Sequence, residues 1–382
     1  MECQRDLFQL PEDQHYINCS FLSPMLLPVE KAVEKGLKGK REPWTVKPEH
    51  FFEDSDKLRQ EFATLVNAPK PNQIAILPAV SYGMGIVASN LPIKKNGNIV
   101  IAAEQFPSNV YPWMKICEEY NCSLKTVHPP SDMKNRGKEW NNHILEAIDK
   151  NTILVAIANV HWTDGTRFDV KQIGKAARDV DAWFVIDGTQ SVGALPFDVR
   201  EVQPDALICA GYKWLLGPYG TTLGYFGPKL ANAKPLEEGW IARKNSRDFR
   251  KLVDYETEYE PGSIRFDVGE RSNFLNTPMM LKALQMVNKW TPNTIQTYCK
   301  NLCASLIDEL RENGFSIEDE NWRGNHLFGV RLPAHSNLDA VQDKLTSHNV
   351  HVSARGSSIR VSPHLYNNRN DLVAFRNALL EA

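Results

Sequence analysis

Four short segments carry side chains able to do chemistry together. Lys213 lies in Ala210-Gly211-Tyr212-Lys213-Trp214-Leu215-Leu216-Gly217-Pro218, just past the apolar run 205–209. An amine flanked by aromatic and apolar residues is partly desolvated, which lowers its pKa and leaves it nucleophilic. A second apolar run, 182–186, ends in Asp187-Gly188-Thr189-Gln190. In an open α/β sheet, ligands sit beyond the carboxyl ends of such strands, so both groups face one crevice. A third run, 74–77, leads through Pro78 into Ala79-Val80-Ser81-Tyr82-Gly83. Free backbone N–H groups, the positive end of a helix and the Ser81 hydroxyl make a site for a phosphate. The fourth is Glu104-Gln105-Phe106-Pro107, where Phe106 offers a ring for stacking on a planar ligand. Taken singly, each has a plainer reading: a solvated lysine, an aspartate capping the next helix, a core phenylalanine. Gly83-Met84-Gly85-Ile86-Val87-Ala88 also matches a dinucleotide pattern, with Glu104 roughly twenty residues on. That reading puts the glycines inside a helix and leaves Lys213 and Asp187 without a use.

An amine able to form a Schiff base, a carboxylate, a phosphate cradle and a stacking ring are together what pyridoxal 5'-phosphate requires. From Tyr16-Ile17-Asn18-Cys19-Ser20 to the last helix, the sequence resembles the class V aminotransferases of the fold-type I pyridoxal-phosphate enzymes. Relatives in that family include cysteine desulfurases, kynureninases and isopenicillin N epimerase-like proteins. The ordered set Asp187, Gln190, Lys213 and Arg360 carries most of the resemblance.

The resemblance implies that Lys213 forms the Schiff base, Asp187 pairs with the pyridinium nitrogen and Gln190 meets the ring hydroxyl. It assigns the phosphate to Ser81, to the backbone of Ala79 and Val80, and to Tyr212. Phe106 stacks on the ring, with His161 and Trp162 beside it. Arg360, in Ser358-Ile359-Arg360-Val361-Ser362, matches the arginine that binds the substrate's α-carboxylate, a role suited to a guanidinium fork. Lys213 and Asp187 are then the catalytic pair, and the partner is a small amino acid.

Departures from the family pattern bear on the reaction. Desulfurases carry a nucleophilic cysteine shortly before the carboxylate-binding arginine, and 350–359 contains none. Trp162 stands where relatives have a polar residue, so a polar contact to the ring is in question. In 262–273, Glu270 replaces the threonine that relatives direct toward a neighbouring subunit's phosphate. Either Ser263 or Ser272 makes that contact or the loop selects substrate, with Arg265 and Arg271 reading a second acidic group. The expectation is a homodimeric enzyme on an amino acid, transamination first. Carbon–carbon or carbon–sulfur cleavage, kynureninase-like hydrolysis and epimerisation remain open, as does a non-catalytic regulator on the same fold.

A chain of 382 residues with 42% hydrophobic content suffices for two cores. The expected fold is α/β, a mostly parallel sheet between helices over residues 16–255. A smaller α+β domain is expected from 1–15 and 256–382. Strand-like runs fall near 73–77, 98–103, 152–160, 182–187 and 206–210, alternating with helical patterns such as 54–66. Later come a helix from Ile295 to Gly314, short strands at 326–332, 350–354 and 359–362, and a final helix. The net charge of −2 gives no electrostatic case for nucleic acid or an anionic membrane. No run reaches transmembrane length, and residues 1–7 lack a signal peptide's pattern. Seven cysteines without secretory context fit a cytoplasmic protein with reduced thiols, and their spacing suggests no metal site.

Overall fold

The structure is a computed structural model and describes residues 1–131, 135–333, 336–355 and 358–381. At its centre the strands run in the order Ile74–Leu77, Thr222–Phe226, Ala206–Ala210, Trp183–Asp187, Thr152–Ala158, Asn98–Ala102, Ser123–Val127. All point one way except Thr222–Phe226, which is antiparallel to both neighbours. Trp183–Asp187 and Ala206–Ala210 are buried throughout, as expected of parallel strands covered on both faces. The five anticipated strands of this sheet are present. Two others escaped the sequence pattern: Ser123–Val127 is a half-exposed edge strand with polar residues, and Gly224 interrupts Thr222–Phe226.

Two apolar layers cover the sheet. One gathers Leu58, Phe62, Val155, Phe184 and Leu207, and the other Met84, Ile86, Trp113, Val185 and Ile208. Gly83, part of the dinucleotide-like pattern, lets its helix press on the sheet: a Cβ there would lie 2.9 Å from Ile208. Its role is helix-to-strand packing.

A second core collects Ile307, Leu310, Phe328, Val330, Ile359, Val361 and Phe375 around an antiparallel sheet ordered Ser353–Arg355, Ser358–Val361, Phe328–Arg331. Helices Pro292–Glu312, Leu338–Ser347 and Arg369–Leu380 pack on it. The amino-terminal segment joins this unit. His15–Tyr16 pairs in parallel with Val350–His351, Asn18 bridges to Ser362, and Asp371 pairs with Arg5 and lies 2.9 Å from His15 Nδ1. Helix Asn276–Trp290, although beyond residue 255, sends Met280, Leu281 and Leu284 into the core of the large sheet. Its other face meets Cys19, Leu26, Trp214 and Leu365, tying the two cores together.

Residues 262–273 are anchored by a buried charge cluster. Asp267 receives Arg59 and Arg271, and its Oδ1 also accepts the Ile76 N–H at 2.8 Å. Arg271 is thus held in the interior rather than free to read a substrate acid, because its counter-charge lies four residues upstream. Ser272 donates to the Phe51 carbonyl at 2.5 Å, Ser263 is buried, and Arg265 bonds the Gly262 carbonyl and lies over Tyr259. Removing one member of a buried ion cluster strands the others in low dielectric. Asp267→Asn is therefore expected to lose about 3–5 kcal/mol of stability in urea unfolding. A loss below about 1 kcal/mol would show that the two arginines are solvated instead.

Candidate active site

The carboxyl ends of the parallel strands open onto a cavity of about 220 Å³. Pro78 to Ser81 follow the first strand, Phe106 and Asn109 the strand ending at Ala102, and Val160 and Trp162 the strand ending at Ala158. Asp187 closes its own strand, and Tyr212 and Lys213 follow Ala210. The reversed strand enters by its first residue, Thr222, after Tyr219 and Gly220. The parallel sheet thus brings together groups far apart in sequence.

Lys213 is 7% exposed, and its Nζ lies 5.6 Å from the ring centres of both Phe106 and Tyr212. Burial, then the Arg360 guanidinium, pulls its amine down to about 8, against the opposing pull of Asp187. Asp187 is equally enclosed, and burial holds its carboxyl above the usual range. Its Oδ1 accepts the Thr189 N–H at 2.9 Å, and among the described residues it makes no salt bridge, Lys213 acting on it only at a distance. Such a carboxylate is suited to a cationic partner brought by a ligand.

Helix Val80–Asn90 starts at Ala79 with no side-chain cap, so its first N–H groups face the cavity without intrahelical acceptors. Ser81 is exposed there. On the other wall, Phe106 is 40% exposed and meets Trp162 edge-on, with ring centres 5.5 Å apart. The Trp162 indole N–H donates to the Glu104 carbonyl at 2.6 Å, so it presents a face and not a polar atom.

Two expected contacts are arranged differently. Gln190 lines the cavity, but its amide Nε2 donates to the Ser20 carbonyl at 3.0 Å and its Oε1 accepts the Trp214 indole N–H at 2.9 Å. The side chain is thereby braced behind Lys213, leaving one amide hydrogen for a ligand. His161 does not line the cavity. It is fully buried behind it, 4.8 Å from the Trp140 ring centre, with Nε2 at 3.0 Å from the Ala103 carbonyl and Nδ1 at 2.8 Å from Thr163 Oγ1. Desolvation lowers its pKa, as for a satisfied core histidine.

Arg360 is 1% exposed, and its Nη1 donates to the Trp162 carbonyl at 2.7 Å. Burial and neighbouring Arg355 bring its pKa down to about 9. Sequence reasoning missed Thr189, Gln105, Asn109, Tyr219 and Thr222. Thr189 Oγ1 accepts the Ala210 N–H at 3.1 Å, coupling the Asp187 turn to the strand that carries Lys213. Gln105 spans the sheet end by donating to the Ala156 carbonyl at 3.0 Å and accepting the Ala158 N–H at 2.9 Å. The strand-end position of Gln105 and Thr189 was the available signal. Among the described residues, no cluster of metal-ligating side chains occurs.

The class-V aminotransferase family model matches residues 47–375. The chain belongs to the class-V aminotransferase family. It is an enzyme of the fold-type I, pyridoxal-phosphate-dependent kind. A Bacillus subtilis protein named as an uncharacterized aminotransferase, YcbU, is 26% identical over 97% of this chain and 95% of its own length. A probable cysteine desulfurase of Methanothermobacter thermautotrophicus is 28% identical over 69% of this chain and 66% of its own. Among solved structures, the apo cysteine desulfurase of Thermococcus onnurineus superposes with a TM-score of 0.83 at 20% identity, covering 100% of this chain and 98% of that one. A C-DES variant with glycine covalently linked to its pyridoxal-phosphate cofactor gives a TM-score of 0.84 at 17% identity, covering 98% of each chain. These likenesses establish the shared fold of the class-V chain.

The electrostatics of this class-V site fix the sign of a titration. In cofactor-free protein, the rate of Lys213 reductive methylation, read by peptide mass spectrometry, is expected to rise with a midpoint near 8. Arg360→Gln removes a cation that disfavours the ammonium and shifts that midpoint up, whereas Asp187→Asn removes the favourable anion and shifts it down. A midpoint near that of ordinary surface lysines, unmoved by either change, would contradict a buried Lys213.

Proposed function

We propose that the protein is an aminotransferase in which Lys213 carries the cofactor. The observation that supports this best is the enclosure of one depressed amine and one unpaired carboxylate, Lys213 and Asp187, in a single cavity. The residues present fit pyridoxal 5'-phosphate: an uncapped helix start for its phosphate, Phe106 for its ring and Asp187 for its nitrogen. When bound, the cofactor supplies an electron sink for the charge that develops at the substrate's Cα. Asp187 keeps a proton on the pyridine nitrogen, since an opposite charge in low dielectric favours the charged ring. Phe106 and Trp162 exclude water from one side. Arg360 turns the substrate by its α-carboxylate so that the Cα hydrogen faces Lys213. Lys213 Nζ, once free, takes that proton as general base, and an amine near 8 is well matched to the task.

Desulfurase chemistry fits these residues less well, despite relatives carrying that name. No cysteine lines the cavity among the described residues. The thiol that acts electrostatically on Lys213 belongs to Cys19, which is fully buried and pushed up to about 12. A protonated, enclosed thiol is a poor nucleophile. Residues 356 and 357, within the segment where a desulfurase cysteine would precede Arg360, lie outside the described residues, but they are Gly356 and Ser357.

We further propose a homodimer. A groove of about 1010 Å³ lined by Leu37, Val46, Phe51, Glu270, Phe274 and Leu275 supports such a contact. All seven cysteines are free, which supports a reducing, cytoplasmic setting. No helix among the described residues is long and apolar enough to cross a membrane.

Two variants test the proposal on the cofactor-loaded protein, without keto acid, by following the bound cofactor's absorption during titration with amino acids. Wild type is expected to bleach with stoichiometric release of a keto acid. Lys213→Ala is expected to slow that half-reaction about 10²–10⁴-fold, and Asp187→Ala to lose most activity while retaining cofactor. Repeated turnover with a persistent band and a cleaved or inverted product would replace transamination by a lyase, hydrolase or epimerase. Wild-type rates in Lys213→Ala would end the mechanism.

A further inference from the structure

Arg355 and Arg360 lie on one face of the hairpin made by Ser353–Arg355 and Ser358–Val361. Arg355 pairs with Ser358, and Arg360 stands two residues beyond on the same strand. Diagonal neighbours of this kind are about 7–8 Å apart, within the span of long side chains. Both converge on one wall of the Lys213 cavity. Arg360 donates to the Trp162 carbonyl, and the Arg355 guanidinium lies over the Trp162 indole, 5.4 Å from its centre.

Neither arginine has an acidic partner among the described residues. Among the described residues, Arg355 donates to the adjacent Ala354 carbonyl at 2.8 Å, and the Nε atoms of both arginines are buried without an acceptor. Lys213 and Asp187 line the cavity, and Arg355 and Arg360 stand behind its Trp162 wall, near enough for both to act electrostatically on Lys213. Arg355 also depresses the pKa of both of the other cations. Like charges gathered around unmatched buried donors are costly until anions arrive. The phosphate-fitting helix start adjoins the first strand, on another wall, and a substrate's α-carboxylate neutralises one guanidinium.

One guanidinium is left over. On the reading that Arg360 takes the α-carboxylate, we propose that Arg355 is a specificity residue that receives a second acidic group. The substrate is then an α-amino acid whose side chain ends in a carboxylate or another oxyanion. The Trp162 indole steadies the Arg355 guanidinium by cation–π attraction, and a guanidinium fork suits two-oxygen recognition.

Two readouts test this at constant ionic strength. In calorimetry with the cofactor-loaded protein, succinate and glutarate are expected to bind at least about tenfold tighter than propionate and butyrate. In the half-reaction, aspartate, glutamate or phosphoserine is expected to exceed alanine and 2-aminobutyrate in kcat/KM, and the responding acid reports the oxyanion. Arg355→Gln should remove about 10–100-fold from acidic ligands and leave neutral ones within about threefold. Equal binding of mono- and dicarboxylates, or an Arg355→Gln variant that weakens all ligands alike, would overturn the assignment. If no amino acid altered the cofactor band, the proposed activity would fall. The dicarboxylate binding difference would still decide the role of Arg355.

Discussion

Withdrawing an amine and a carboxylate from water into one small cavity is the constraint on which the rest of the structure depends. Each charge alone would shift toward its neutral form, and the directions found, Lys213 down and Asp187 up, are those of desolvation. Such an arrangement is costly for stability and useful for chemistry. It is maintained by features that are not themselves reactive: the Trp214–Gln190–Ser20 brace, His326 bonded to the Gln190 carbonyl at 2.8 Å, and the Thr189 hydroxyl linking two strands. Stability of the surrounding cores offsets the strain of the site.

The sheet decides which residues meet. In parallel strands every carboxyl end lies at the same edge, so loops from 78, 106, 162, 187 and 213 converge although they span much of the chain. The small antiparallel unit then brings Arg355 and Arg360 over that edge, while the amino-terminal segment fastens the unit through Asn18 and Ser20. Two guanidiniums against the Trp162 wall are the result, and the positive potential they add is felt at Lys213.

Much of this site was legible because strand-end logic applies to short apolar runs. Lys213, Asp187, Ser81 and Phe106 all follow such runs, and all line the cavity. What escaped depended on distant or irregular pieces. Thr222 and Tyr219 enter through a reversed strand that Gly224 disguises, and Gln190 is occupied by Ser20, 170 residues away. His161 adjoins the cavity-lining Val160 and Trp162 but turns to the core, an orientation that spacing alone does not fix. Arg271 had its explanation in view, since Asp267 is four residues upstream, but only the buried placement of Arg59 shows that the acid is shared.

The central claim is that Lys213 is the residue that holds the cofactor. Borohydride reduction of the pyridoxal-phosphate-loaded protein, followed by peptide mass spectrometry, tests it most directly. The account predicts one modified site, on the peptide containing Tyr212-Lys213-Trp214, at one cofactor per chain. Modification confined to another lysine, or none while Lys213 remains unlabelled, would contradict it.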